Sequence, residues 1–258
     1  MTRHIAFEGI ENFRDFGGYG TACGRGLKAG RLYRSGHHAR ASEADLARLK
    51  DLGLSLIVDL RRPNERERDP SRRWAGFGAT VIDSDAEQER TVEWMEFLRD
   101  SDLSIEAFRR YMLNYYRAAP TDPRYVDLYS RYFLALAESD GPVLVHCAAG
   151  KDRTGVICAL THHLAGVHDD DIMADYLLTN DPARIAARSE TVGGLIFEAT
   201  GRRPTEAAVA YAISVDAEFL AESFAAMRER FGSVDGYLDA GLGLTPALRE
   251  RLHERLLG

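Results

Sequence analysis

The chain has 258 residues, of which 45% are hydrophobic and 28% charged. That is the balance of a globular protein long enough to bury one substantial core. Its formal charge of -7 argues against a dedicated nucleic-acid binder, because phosphate backbones need a basic face. No apolar run approaches the roughly 18 residues of a membrane span, and the stretch Met1–Glu8 lacks the apolar core of a Sec-type signal. Three cysteines form no even framework and fit a reducing compartment. A cytoplasmic location is expected, with export by another route left open.

In chain order, residues 8–36 are rich in glycine and turns, with a strand over Arg31–Arg34. A helix starts at Ser42, which caps, with Asp45 at the capping-box position. Leu46, Leu49 and Leu52 form its apolar face and Gly53 ends it. Leu54–Leu60 reads as a buried strand of parallel type. Arg61–Arg73 reads as a solvated connection whose arginines pair with Glu65, Glu67 and Asp69, with a widened positive mouth to the site as its other reading, and Ala79–Ile82 as a strand before the acidic Asp83–Glu87. Residues 90–139 read as helical, broken at Pro120–Pro123. Pro142–His146 is a strand and Thr154–Ala165 a helix. Further helices follow over Asp169–Thr179, Pro182–Ala199, Ala217–Arg230 and Pro246–Leu257. Strands alternating with helices predict an α/β fold with a mostly parallel central sheet flanked by helices. One domain is expected over residues 1–258, with helical insertions near 86–118 and 183–212 placed to form a lid.

The chemistry concentrates at His146–Gly155, "HCAAGKDRTG". A turn from strand to helix leaves the first helical amides without partners. In a tight loop such amides form an anion nest, reinforced by the helix dipole. Cys147 sits at that nest, where a thiolate is stabilised. Arg153 adds a planar fork suited to two phosphate oxygens. Nucleophile, amide cradle and arginine together describe phosphoryl transfer through a phosphocysteine. The cradle is Ala148, Ala149, Gly150, Lys151, Asp152 and Arg153. The Thr154 hydroxyl is placed to hydrogen-bond the Cys147 sulfur and help it leave, and His146 supports the loop.

Residues His146-Cys147-x5-Arg153-Thr154 resemble the signature loop of cysteine-dependent tyrosine and dual-specificity phosphatases. Together with "NFRDFGGY" (Asn12–Tyr19), "GRLYRSG" (Gly30–Gly36), "DLRRPNE" (Asp59–Glu65), "DIMADYLLTND" (Asp171–Asp181) and "FGSVDGYLDAGLGL" (Phe231–Leu244), the loop is similar to that of the bacterial atypical tyrosine phosphatases. The resemblance covers nearly the whole chain. It implies a parallel sheet flanked by helices and action on phosphotyrosine, on some phosphoserine and phosphothreonine, and on phosphoinositides. The expected partners are therefore a phosphorylated protein or a phosphoinositide. No cofactor or metal is expected.

A leaving alkoxide or phenoxide needs a proton from a carboxylic acid. Asp85, in the loop after the Ala79–Ile82 strand, matches the place of the mobile acid in tyrosine phosphatases. Asp83 lies two residues away, and Asp152 lies in the phosphate loop itself, with a structural pairing to Arg14 as its other reading. Asp59 closes a strand at the ligand-binding edge, either to orient Arg153 or to pair with one of its own following arginines. Lys151 is a partial sign of a polyphosphorylated lipid substrate, or faces solvent. In "NFRDFGGY", Phe13 and Phe16 are expected to pack and Arg14 to pair with Asp15, with a segment that lines the pocket as the other reading. Cys158 reads as core, and Cys23 lies in a glycine-rich loop, with a disulfide to an oxidised Cys147 as its other reading. The different-class alternative is a non-catalytic module that binds phosphorylated ligands. A rhodanese-like sulfurtransferase leaves Arg153 and Thr154 unexplained.

Overall fold

The computed structural model describes residues 3–86 and 94–258. The expected helical start at 90–93 and Glu87 of the acidic turn lie outside the described residues. Among the described residues, five strands form one sheet: β1 (Arg14–Asp15), β2 (Leu32–Ser35), β3 (Leu56–Asp59), β4 (Thr80–Ile82) and β5 (Val143–His146), in the order β1-β2-β5-β3-β4. All pairings are parallel except β1 with β2. The α/β class with a mostly parallel sheet is thus as the sequence predicts.

The central strand β5 shows why its sequence is uninterruptedly apolar. Val143 and Val145 enter the larger core, together with Leu56 and Val58 of β3. Leu144 points the other way, into a second core with Ile57. A strand covered on both faces has no polar side to alternate with. The larger core is closed by helices α5 (Pro123–Glu138) and α6 (Asp152–Ala165) and by the C-terminal helix Pro246–Leu256. The second is closed by α1 (Glu43–Asp51) through Leu46 and Leu49. The capping box on α1 forms as read: the Asp45 amide donates to Ser42 Oγ and the Ser42 amide to Asp45 Oδ2, both at 3.1 Å.

A helix unforeseen in the sequence, α2 (Pro63–Arg68), lies within the charged connection. It buries none of its residues, so no apolar period announced it. The helical stretch 94–138 breaks as expected near Pro120–Pro123. There α3 (Trp94–Asp100) and α4 (Ile105–Ala118) give way to a 3-10 turn, Ala119–Thr121, and then to α5, capped by Asp122. After α7 (Asp169–Leu177) come α8 (Pro182–Thr200), α9 (Glu206–Ile213) and α10 (Ala217–Phe231). The two expected insertions meet: Leu98, Leu103 and Phe108 share a third apolar cluster with Ile196 and Ala208.

The register places Ser35, Asp59 and His146 side by side at the carboxyl ends of β2, β3 and β5. This is the edge where open α/β sheets bind ligands, and the His146–Gly155 loop starts from it.

Candidate active site

The loop between β5 and α6 turns on Gly150, whose φ of +64° is one that L side chains rarely adopt. A Cβ there would also fall 2.4 Å from the Ser35 carbonyl carbon. Both constraints leave only glycine. The carbonyls of the loop are tied outward. The His37 amide donates to Ala148 O at 3.1 Å. Asn12 Nδ2 and Arg34 Nη2 donate to Gly150 O at 2.7 and 3.1 Å. Among the described residues, the amides of Ala148–Lys151 donate to no protein acceptor. The result is a ring of donors for an anion at the helix start, with Cys147 beside it and 2% exposed.

The residues that hold this ring are themselves locked by a buried carboxylate. Asp175 of α7 receives Arg34 Nη1 at 2.9 Å and Arg14 Nε at 3.4 Å. Burial would raise the Asp175 pKa, but Arg14 and then Arg34 hold it down to about 2. Arg14 also donates to the Asn12 carboxamide oxygen and to Thr179 Oγ1. The expected Arg14–Asp15 pair is therefore corrected. Arg14 turns inward to Asp175, while Asp15 accepts from the amides of Gly17 and Gly30. Phe13 and Phe16 do pack in the two cores.

Arg153 is half-buried and engaged by Glu65 of α2. Its Nη2 lies 2.8 Å from Oε1, Nη1 bonds Oε2, and Nη1 also reaches Leu60 O at 3.3 Å. Burial would raise the Glu65 pKa, yet the Arg153 charge holds it down to about 2. Glu65 was read among the solvated acids of the connection. It is instead the ion-pair partner of Arg153. The segment "DLRRPNE" carried the available signal, since a proline followed two residues later by an acid marks a helix start.

The other expected residues fall as follows. Asp59 pairs with Arg61, its own following arginine, through Nη2–Oδ2 at 2.7 Å. It also stands 3.6 Å from His146 Nε2. Burial pushes His146 down to about 4, against the raising effect of Asp59. Thr154 is fully buried, and its hydroxyl makes no hydrogen bond among the described residues, so the bond to Cys147 is not formed here. Asp83 and Asp85 both pair with Arg66, and the Asp85 side chain is 90% exposed. Asp152 lies in the loop, with Oδ1 accepting from the Tyr116 hydroxyl at 2.9 Å. It makes no pair with Arg14. Cys158 is buried, and Cys23 exposed.

Lys151 neither faces solvent nor reaches over the loop. Its Nζ donates to Ala212 O at 2.9 Å and Ser214 O at 3.0 Å, at the end of α9. Burial lowers its pKa, partly opposed by Asp152. Beside it a cavity of about 600 Å³ opens between α3, α8 and the phosphate loop, with Ala149, Lys151, Trp94, Leu98, Val192 and Ile196 in its wall. Among the described residues, no group of three or more His, Cys, Asp or Glu side chains is placed to hold a metal ion.

A mostly parallel sheet that presents Cys147, an amide ring and a half-buried arginine at one strand-to-helix turn defines a cysteine-dependent phosphatase. A model of the tyrosine phosphatase family matches residues 5–258, and the chain belongs to that family. It is 34% identical over 278 residues to the triple specificity protein phosphatase PtpB of Mycobacterium tuberculosis, covering 97% of this chain and 98% of that protein. A Cupriavidus necator protein, provisionally named a tyrosine-protein phosphatase, is 36% identical over 240 residues, covering 92% of this chain and 83% of the relative. A tyrosine-protein phosphatase of Nostoc commune is 29% identical over 155 residues, covering 59% of this chain and 49% of the relative.

Proposed function

We propose that the protein hydrolyses phosphate monoesters of tyrosine, and of serine and threonine, in phosphorylated proteins. Cys147 Sγ attacks phosphorus as the ester P–O bond breaks, and Asp152 gives its proton to the departing oxygen. Water then attacks the phosphocysteine, Asp152 takes a proton from that water, and the S–P bond breaks to release phosphate and the thiolate. Arg153, held by Glu65, and the amides of residues 148–153 bear the equatorial phosphoryl oxygens. The single observation behind this reading is the amide ring at Cys147, kept open by the outward ties of Asn12, Arg34 and His37.

Asp152 is preferred to Asp85 as the acid on position. It is part of the loop that carries the nucleophile, whereas the Asp85 carboxylate is at the surface on Arg66. A protein ester is preferred to a polyphosphorylated lipid because the Lys151 ammonium is bonded to carbonyls of the α9 end. The α3–α4 and α8–α9 segments are read as a lid over the cavity. No helix among the described residues is long and apolar enough to cross a membrane, and the proposal places the enzyme in the cytoplasm.

Phosphate release from phosphotyrosine, phosphoserine and phosphothreonine peptides and from mono- and polyphosphorylated phosphoinositides, with Cys147→Ser as the blank, tests the reading. Turnover of peptides that vanishes in the variant supports it. Retained binding of inorganic phosphate with no turnover of any ester replaces the enzyme with a binding module.

A further inference from the structure

One oxygen of Asp152 is already occupied in a particular way. Tyr116 of α4 donates to Oδ1 at 2.9 Å, and the Tyr176 hydroxyl of α7 lies 2.8 Å from that of Tyr116. A phenol has one proton. With the Tyr116 proton directed at the carboxylate, Tyr176 is the donor in the second bond, and the chain runs Tyr176 to Tyr116 to Asp152. Lys151 Nζ stands 3.6 Å from the same Oδ1. Among the described residues, nothing hydrogen-bonds Oδ2.

Neither phenol has room to turn away. Tyr116 is fully buried, with its ring stacked on Phe219 at 5.6 Å between centroids. Tyr176 packs so closely on the phosphate-loop helix that a Cβ at Gly155 would fall 2.8 Å from its ring. Burial, and then the Asp152 charge, raise the Tyr116 pKa well above that of an ordinary phenol, so Tyr116 keeps its proton while Asp152 exchanges one.

We infer that Tyr116, oriented by Tyr176, is the positioning residue of the proton-transfer step, occupying Oδ1 of Asp152 so that the transferable proton rides on Oδ2. The inference rests on the reading of Asp152 as the acid. In the first half-reaction the proton leaves Oδ2 for the bridging oxygen as the P–O bond breaks and the S–P bond forms. In the second, Oδ2 takes a proton from the attacking water as the S–P bond breaks. A carboxyl group with one side fixed enters both steps without a rotational search.

The test compares Tyr116→Phe, Tyr176→Phe, Asp152→Asn and the double variant Tyr116→Phe/Asp152→Asn on a phosphoserine peptide and on para-nitrophenyl phosphate. Tyr116→Phe is expected to lower kcat on the phosphoserine peptide about tenfold, the size typical of a lost hydrogen bond to a charged group. The effect on the aryl ester, which needs less protonation, should be about twofold or less, and KM should hold on both. In the Asp152→Asn background Tyr116→Phe should add nothing. An unchanged kcat on the phosphoserine peptide, an equal loss on both esters, or a loss that persists in the Asp152→Asn background each overturns the inference. If Asp152→Asn itself fails to discriminate between the esters, the reading of Asp152 as acid falls and takes this inference with it. Should Tyr116→Phe fail to fold, Tyr176→Phe carries the same comparisons, with an expected loss of about threefold on the phosphoserine peptide.

Discussion

Arg153 and Glu65 meet fork to fork, both largely buried, with Nη2 2.8 Å from Oε1 and Nη1 bonded to Oε2. Glu65 Oε2 also accepts the Arg62 amide at 2.8 Å, so the first turn of α2 fixes the carboxylate that fixes the arginine. A guanidinium held along one edge presents its remaining hydrogens in a set direction.

Glu65→Gln keeps the size of the side chain and removes the charge. Vanadate affinity and kcat/KM should both fall about 10- to 100-fold, the cost of breaking a buried charge pair from one side. Glu65→Asp, charged but one methylene shorter, should fall between. Inhibition and turnover assays on the three proteins read this directly. Equal vanadate affinity in wild type and Glu65→Gln would refute the clamp.

Stability should depend on pH in two windows. His146 has its pKa lowered from 6.5 to about 4, so between those values the unfolded chain binds a proton that the folded one does not, and stability falls as pH falls. Glu65 and Asp175 are both depressed to about 2 from 4.5 and 3.8. Their contribution is complete above the unfolded values and is lost as pH drops toward 2. Urea midpoints followed from pH 7 to pH 3 should decline through both windows. Glu65→Gln should make the lower one shallower, with the Asp175 share remaining, and leave the upper one in place.

Lys151→Met removes the ammonium that joins the phosphate loop to the end of α9. Amide hydrogen exchange over residues 206–214 should quicken about tenfold or more, since a buried charged hydrogen-bond donor is lost. Because the tie is to protein carbonyls, the ratio of phosphotyrosine to phosphoinositide turnover should stay within about twofold of wild type. A selective loss of phosphoinositide turnover would instead assign the lysine to the substrate.

Asn12→Ala removes the shorter of the two hydrogen bonds to the Gly150 carbonyl, the one from Nδ2 at 2.7 Å, and leaves that from Arg34 Nη2 at 3.1 Å. Phosphate binding should weaken about tenfold, in line with one lost hydrogen bond, while the thermal midpoint moves by only a few degrees. Gly150→Ala should do far more. Its Cβ meets the Ser35 backbone at 2.4 Å in a left-handed conformation, and both binding and fold stability should suffer.

The strand, loop and helix around Cys147 were legible because β5 is buried on both faces and reads as one apolar run bounded by functional residues. The cap on α1 was legible because a capping box is a local device. Glu65 was not, because its partner lies 88 positions away and α2 has no apolar face to announce it. The sequence put Arg14 next to Asp15, but the fold paired it with Asp175 across 161 positions. Adjacent opposite charges are a poor guide to pairing when one of them is drawn into a core. Tyr116 stood in a tyrosine-rich helix with nothing local to single out its hydroxyl.

That only four residues separate Cys147 from Asp152 has a further consequence. The proposed nucleophile and the proposed proton donor share one turn, braced by Asn12 and Arg34 on one side and Tyr116 on the other. No segment has to travel to bring them together once an ester is seated. The chemical step in such an enzyme is paced by the leaving group rather than by a hinge, and added viscogen should slow entry and exit while leaving single-turnover cleavage untouched.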